Sequence, residues 1–368
     1  MKLISLFNNK GGVGKTTLAF HLSHSLSEMG YKVLMIDADP QCNLTICSLQ
    51  DEEIKSIWEK EDEFIDGFES AMNKMAEAEF VRHNAEPRTL HYLLKPTEEG
   101  TGETGILPPP VELTPNLGLI PGRLTMHMYE DKIAERWNGV YRGDPLSIRT
   151  ITKIRNLAEL YSEDFGYDFT IVDTSPSLGI LNKVIISTVD GFLIPCLPDM
   201  FSLYGIRNIG DYLTRWKKEF ETVYGLISDE KRAQFPKNFV RFLGFTVYNA
   251  KKYRGATPLD LAQAHYDYAI KIPETVVDFI QYEVREHLSE DMLENPIGGT
   301  SVMHSHNTFP NITQKYKNPM WKIPNLDNLE RDDIATIRGG SRVIYEATRE
   351  KYEEFTNDLL NRVHTLDE

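Results

Sequence analysis

Cysteine is nearly absent from this chain, and the little there is excludes most cysteine chemistry. Cys42, Cys47 and Cys196 form no C-x-x-C pair and no even framework, so a disulfide scaffold, a zinc site or an iron–sulfur site lacks its ligands. Cys42 and Cys47 read as buried or half-buried thiols in a reducing cytosol. His304 and His306 are only two residues apart; two histidines alone make a poor metal site, and a polar loop is the expected identity. Long apolar runs are missing too, so no segment is long enough to span a membrane. Met1 leads straight into an apolar stretch, which leaves no room for a signal peptide and points to a cytoplasmic protein. Excess positive charge is also lacking. A net charge of -15 argues at first against nucleic acid as a partner.

The distribution of charge softens that argument. Residues 51–80 hold eleven acidic and three basic residues. From Lys231 to Leu259 there are seven basic residues and no acidic one: Lys231, Arg232, Lys237, Arg241, Lys251, Lys252 and Arg254. That is the composition of a localised basic patch on an acidic protein. With 41% hydrophobic and 26% charged residues, the 368-residue chain has the balance of a soluble globular protein. It is long enough for one large α/β domain or two ordinary ones.

The most informative stretch is 8–17, Asn-Asn-Lys-Gly-Gly-Val-Gly-Lys-Thr-Thr. It follows the apolar run Leu3-Ile4-Ser5-Leu6-Phe7 and precedes Leu18, Leu22 and Leu26 at helical spacing. Strand, glycine-rich loop and helix form the context a phosphate-binding loop requires. Gly11, Gly12 and Gly14 let the backbone turn tightly, so that several N–H groups face one anion-sized hollow, and the helix start adds its dipole. Lys15 would reach the β- and γ-phosphates, and the Thr16 hydroxyl would take one place on Mg²⁺. The bland alternative is a glycine-rich turn with two solvated lysines. Further on, Lys32 to Gln41 is an apolar strand ending in two carboxylates, Asp37 and Asp39. Carboxylates at a strand end beside a phosphate loop lie where ligands collect in an open parallel sheet, although the pair could simply cap a strand-to-helix turn.

The form K-G-G-x-G-K-T-T resembles the deviant Walker A loop of the ParA/MinD family of ATPases, closest to the Soj-like ParA partition ATPases. The resemblance implies that Lys10 crosses a dimer interface to the nucleotide of the other subunit. It implies a nucleotide contact by the whole loop, Lys10, Gly11, Gly12, Val13, Gly14, Lys15, Thr16 and Thr17. The run Asp37 through Thr45, D-x-D-P-Q-x-N-x-T, looks like the family's first switch, which makes Asp39 the hydrolytic residue and Asp37 a supporting group behind the metal. Phe169-Thr170-Ile171-Val172-Asp173 reads as a Walker B strand, with Asp173 holding the metal through water or bonding Thr16. The following Ser175 to Gly179 resembles the second switch, which senses the γ-phosphate. Asn249, at the end of the strand Leu243–Asn249, is a candidate for facing the adenine, or a simple turn cap.

Strands alternating with helices imply a doubly wound, mostly parallel α/β sheet covered on both faces, here a P-loop NTPase in one domain over 1–368. Two regions fit the family poorly. Residues 51–116 read as an inserted segment, acidic and helical at first and loop-like from Glu98 to Pro110. Residues 283–330 read as a second insertion or long loop. A helix from Ile148 to Tyr161 is expected with Ile151, Ile154, Leu157, Leu160 and Tyr161 on one side. Another from Ser341 to His364 should turn Ile344, Tyr352, Phe355, Leu359 and Val363 inward. The resemblance implies ATP and Mg²⁺ as cofactors, an ATP-dependent homodimer with slow hydrolysis, and a stimulating ParB-like or effector partner. For DNA partition, Lys251, Lys252, Arg254, Arg338 and Arg342 are the candidate contacts to nonspecific duplex DNA, which would place the protein on the nucleoid. A regulatory ATPase that gates a protein effector without DNA stays open beside it. Membrane positioning is disfavoured, because Glu353, Glu354 and Asp358 precede a tail that anionic lipid would repel.

Overall fold

The computed structural model describes residues 1–102, 105–232, 235–250, 255, 257–299, 303–304, 309–339 and 341–367. Its strands are β1 (Lys2–Leu6), β2 (Val33–Asp37), β3 (Val111–Thr114), β4 (Leu117–Ile120), β5 (Phe169–Asp173), β6 (Gly191–Cys196), β7 (Arg241–Ala250) and the two-residue β8 (Met303–His304). They form one sheet in the order β3-β4-β2-β5-β1-β6-β7-β8. Every pairing is parallel except β3 on β4. β2, β5 and β6 are buried along their whole length, as strands covered on both faces must be.

The alternation of side chains sorts the core into two layers. Leu3, Phe7, Leu34 and Ile36 face one side, with α7 (Met126–Val140), α8 (Pro145–Phe165), α9 (Ile180–Thr188) and α10 (Met200–Leu226) packed over them. Ile4, Leu6, Val33 and Met35 face the other side, under α1 (Lys15–Glu28) and the last helix, Arg342–His364. Between β2 and β3 the chain forms α2 (Asn43–Ser48), α3 (Asp51–Asp66), α4 (Phe68–Asn73), α5 (Glu77–His83) and α6 (Leu90–Glu99). Phe64, Phe68, Phe80 and Tyr92 pack ring against ring at their centre. The carboxylate of Glu61, wholly buried, accepts from the backbone and hydroxyl of Thr89 at 2.6 Å each. The Arg123 guanidinium stands 3.4 Å from it.

Three expectations need correction. Leu160 and Ile344 are exposed, at 43% and 54%. Buried Leu157, Ala158 and Tyr161 carry the stripe past Leu160, and Tyr345 takes the inward position that Ile344 was expected to fill. The stretch 283–330 is not one long loop: it holds the helices Glu290–Glu294, Phe309–Tyr316 and the 3₁₀ turn Met320–Asn325. Of the seven basic residues, Lys231, Arg232, Lys237 and Arg241 come before or at the start of β7, and Lys251, Lys252 and Arg254 lie outside the described residues.

Candidate phosphate-binding site

The phosphate loop leaves the C-terminal end of β1, the strand between β5 and β6. The Asn8 side chain pins it in place. Its Nδ2 donates to Pro195 O at 2.7 Å, and its Oδ1 accepts from Lys10 N at 2.9 Å. Gly12 and Gly14 have φ of 74° and 80°, in the left-handed region that a side chain would strain. A Cβ on Gly12 would meet nothing within 4 Å, so its backbone angle, not crowding, calls for glycine.

The loop ends where α1 begins, so Lys15 and Thr16 occupy its first turn. Lys15 Nζ curls back beneath the loop and donates to Asn8 O at 3.0 Å and Lys10 O at 3.4 Å. Burial lowers its pKa, against the raising influence of Asp173 and Asp39. Thr16 Oγ1 donates to Asp173 Oδ2 at 2.7 Å. The other oxygen, Asp173 Oδ1, is buried without a hydrogen-bond partner among the described residues.

Sheet register sets Asp37 directly beside Asp173. Asp37 Oδ2 accepts from Thr45 N at 2.8 Å and Thr45 Oγ1 at 2.6 Å, and Oδ1 accepts from Asp39 N at 3.2 Å. Burial pushes the Asp37 carboxyl up to about 7, opposed by the Thr45 bonds. Burial and neighbouring Asp37 likewise raise Asp173. Burial raises Asp39 as well, against the Gln41 N–H, which its Oδ1 accepts at 2.9 Å, and the Lys15 charge. Gly122 closes this corner: its N–H donates to Thr45 Oγ1 at 2.7 Å, and a Cβ there would sit 3.0 Å from Asp37 Cγ.

Lys10 turns away from the loop. Its Nζ lies 2.5 Å from Asp199 Oδ2 and 5.4 Å from the Phe201 ring centroid. Asp199 caps α10, accepting from Ser202 N at 2.9 Å. Lys10, Lys15, Thr16, Asp37, Asp39 and Asp173 thus gather at the C-terminal edge of the sheet. Asn249 is the next-to-last residue of β7, and its backbone reaches the same edge; its side chain lies outside the described residues, as do Lys251, Lys252 and Arg254. Arg338 and Arg342 do not join the site. Arg338 donates to Pro324 O and Leu326 O, and Arg342 pairs with Glu346.

Sequence reasoning missed Asp199 as the partner of Lys10 and Gly122 as the packing partner of Asp37. Both are distant in the chain, and only the sheet order brings them in. The residues present suit a magnesium-bound nucleotide. A buried carboxylate oxygen without a donor and an adjacent hydroxyl match an ion that takes one or two protein oxygens and fills its shell with phosphate and water. Among the described residues no group of three or more His, Cys, Asp or Glu side chains is arranged to hold a metal alone.

A family model described as an AAA domain, AAA_31, matches residues 1–223. An uncharacterized protein of Methanocaldococcus jannaschii is 29% identical over 224 residues, 59% of this chain and 67% of its own length. A probable plasmid-partitioning protein ParA of Thermus thermophilus is 26% identical over 251 residues, 68% of this chain and 59% of its own. The chain therefore spans between half and two-thirds of several curated relatives. Among solved structures, a Corynebacterium diphtheriae protein superposes with a TM-score of 0.58 at 24% identity, covering 86% of this chain and 97% of that one. A variant of Cyanothece McdA in complex with ATP gives 0.55 at 17%, covering 98% and 96%. pNOB8 ParA gives 0.54 at 19%, covering 99% and 98%. With the phosphate loop, the Thr16–Asp173 bond and a family match over more than half its length, the chain belongs to the AAA_31 family, as a ParA-type P-loop ATPase.

Proposed function

We propose that this chain is a slow ATPase whose ATP-bound form is a homodimer that binds duplex DNA nonspecifically, and that it partitions or positions a cargo. The observation that carries the reading is the joint placement of Lys15 and the Thr16–Asp173 bond beneath a glycine-rich loop. The loop amides from Gly11 to Thr17 and the Lys15 ammonium bind the phosphates. Thr16 and Asp173 would hold Mg²⁺, with Asp37 behind them; the ion supplies positive charge where the terminal phosphates develop negative charge. Asp39 orients the attacking water, and Asn249 borders the base. Lys10 leaves Asp199 and reaches the nucleotide of a second copy, which ties turnover to dimerisation. Relatives described as plasmid-partitioning, virulence-plasmid ParA and cell-division proteins support a partition or positioning role. No helix among the described residues is long and apolar enough to cross a membrane, and the reading places the protein in the cytoplasm, on the nucleoid when bound to DNA. Lys251, Lys252 and Arg254 are the favoured phosphate contacts, since Arg338 and Arg342 are engaged within the chain.

The test is duplex-DNA binding with ATP, with ADP and without nucleotide. Wild type binds only with ATP, more weakly at higher salt. Asp39→Ala holds the ATP state and binds persistently, and charge reversal at Lys251 and Lys252 abolishes binding. Wild type that ignores DNA in all three states would overturn the DNA part. A second reading, a switch that gates a protein effector, is favoured by the acidic run 51–80, most of which lies exposed on α3, α4 and α5. Residues 51–116 would then be an inserted partner surface on a single 1–368 ATPase unit, with a ParB-like or effector protein as ligand. ATP-dependent co-purification of such a protein, without DNA binding, would support it.

A further inference from the structure

We infer that Asn182 is a positioning residue that fixes the Ser175–Gly179 loop against the phosphate loop, and so sets how the site distinguishes ATP from ADP. The inference rests on the ATPase reading above. Asn182 sits in the first turn of α9 and is completely buried. Its Nδ2 donates to Ser175 O at 2.7 Å and Ser177 O at 2.8 Å, with Ser177 Oγ at 3.2 Å. One amide therefore clamps the two carbonyls on either side of Pro176, in a segment without helix or strand. The Ser177 N–H donates to the same Ser175 carbonyl at 2.9 Å, and the two serine hydroxyls lie 3.1 Å apart.

The clamped segment leads directly from Asp173. Thr174 at its root donates to Leu6 O at 2.9 Å, on the strand that carries the phosphate loop. Pro176 Cγ would lie 3.9 Å from a Cβ on Gly11. At its far end a Cβ on Gly179 would sit 2.5 Å from Glu130 Oε1, a close approach that fixes where α9 begins. The segment is thus fixed at its root by Thr174 and at its far end by Gly179, and Pro176 between them faces the loop whose Lys15 and Thr16 serve the terminal phosphates. Of these holds, the Asn182 amide is the one that donates from α9 to the turn's own carbonyls. A γ-phosphate extends beyond the position of ADP's last phosphate, so a displaced Ser175–Ser177 turn should affect ATP and spare ADP.

The experiment measures equilibrium affinity for fluorescent ADP and for a nonhydrolysable ATP analogue, both with Mg²⁺, together with phosphate release, on the full chain. Asn182→Ala should weaken the ATP analogue about tenfold and slow turnover by at least as much, while ADP affinity stays within about twofold of wild type. Asn182→Asp, isosteric but without an N–H to donate, should behave like Ala or worse. Asn182→Thr, which keeps one donor, should recover part of the loss and supplies the reading if the Ala variant does not fold. An unchanged ratio of ATP-analogue to ADP affinity, or an equal loss for both, would overturn the inference while leaving the ATPase reading intact. Wild type that binds neither nucleotide would overturn both.

Discussion

The Lys10 ammonium sits 2.5 Å from the carboxylate of Asp199 in its own chain, at the start of α10. Burial acts to raise the Asp199 carboxyl, but the Lys10 and Ser202 contacts outweigh it and hold it below the usual range. The pair is partly exposed, and such pairs contribute about 0.2–1 kcal/mol, an amount a triphosphate can outbid. Asp199→Asn, which keeps a cap acceptor, should cost under about 1 kcal/mol of stability and raise the dimer fraction at limiting ATP. Lys10→Ala should abolish the ATP-dependent dimer and retain nucleotide affinity. Light scattering against ATP concentration checks both; a Lys10→Ala dimer as tight as wild type would refute the role in trans.

Thr16 and Asp173 should matter for the metal more than for the nucleotide alone. Asp173→Asn removes one negative charge facing the phosphates and the buried orphan oxygen with it. Nucleotide affinity without Mg²⁺ should stay the same or rise, and the increment that Mg²⁺ adds should vanish. Titrations with and without chelator read this directly, and a preserved increment would remove Asp173 from the metal site.

Glu61 predicts a pH dependence far from the nucleotide. Burial pushes its carboxyl up to about 7, against the Thr89 bonds and the Arg123 charge. A raised carboxyl binds its proton more tightly folded than unfolded, so its stability contribution is complete below the unfolded value near 4.5. That contribution is lost as pH rises through about 7. Unfolding by urea should become easier from pH 6 to pH 8 by roughly 1–3 kcal/mol. Glu61→Gln should flatten that slope.

Arg362, only 1% exposed, donates to Leu243 O at 3.2 Å, Met292 O at 2.7 Å and Asn295 O at 3.2 Å, and pairs with Asp358 at 3.3 Å. It ties the last helix to β7 and to the C-terminal end of the helix Glu290–Glu294. Arg362→Ala should cost about 2–4 kcal/mol in urea denaturation, with nucleotide affinity in the folded protein unchanged.

The phosphate loop, the Asp37 and Asp173 strand ends and the parallel sheet were legible because each is a local pattern: glycines at fixed offsets, and apolar runs that end in a carboxylate. What was not legible depends on placement. Nothing near Lys10 in sequence names Asp199, and nothing in Asn182 distinguishes it from a surface asparagine until α9 sets it under the Ser175 turn. Nothing in the sequence singles out Glu61 or Arg362, since helical spacing alone does not reveal which carbonyls or amides a packed neighbour will present.

The strand order has a consequence for synthesis. β1 is made first but lies between β5 and β6, which end at Asp173 and Cys196. A nascent chain stalled at residue 150 carries the glycine loop with neither flanking strand and without Asp173, so it has no pocket to close around a nucleotide. The site is complete only after β5 and β6 have been made.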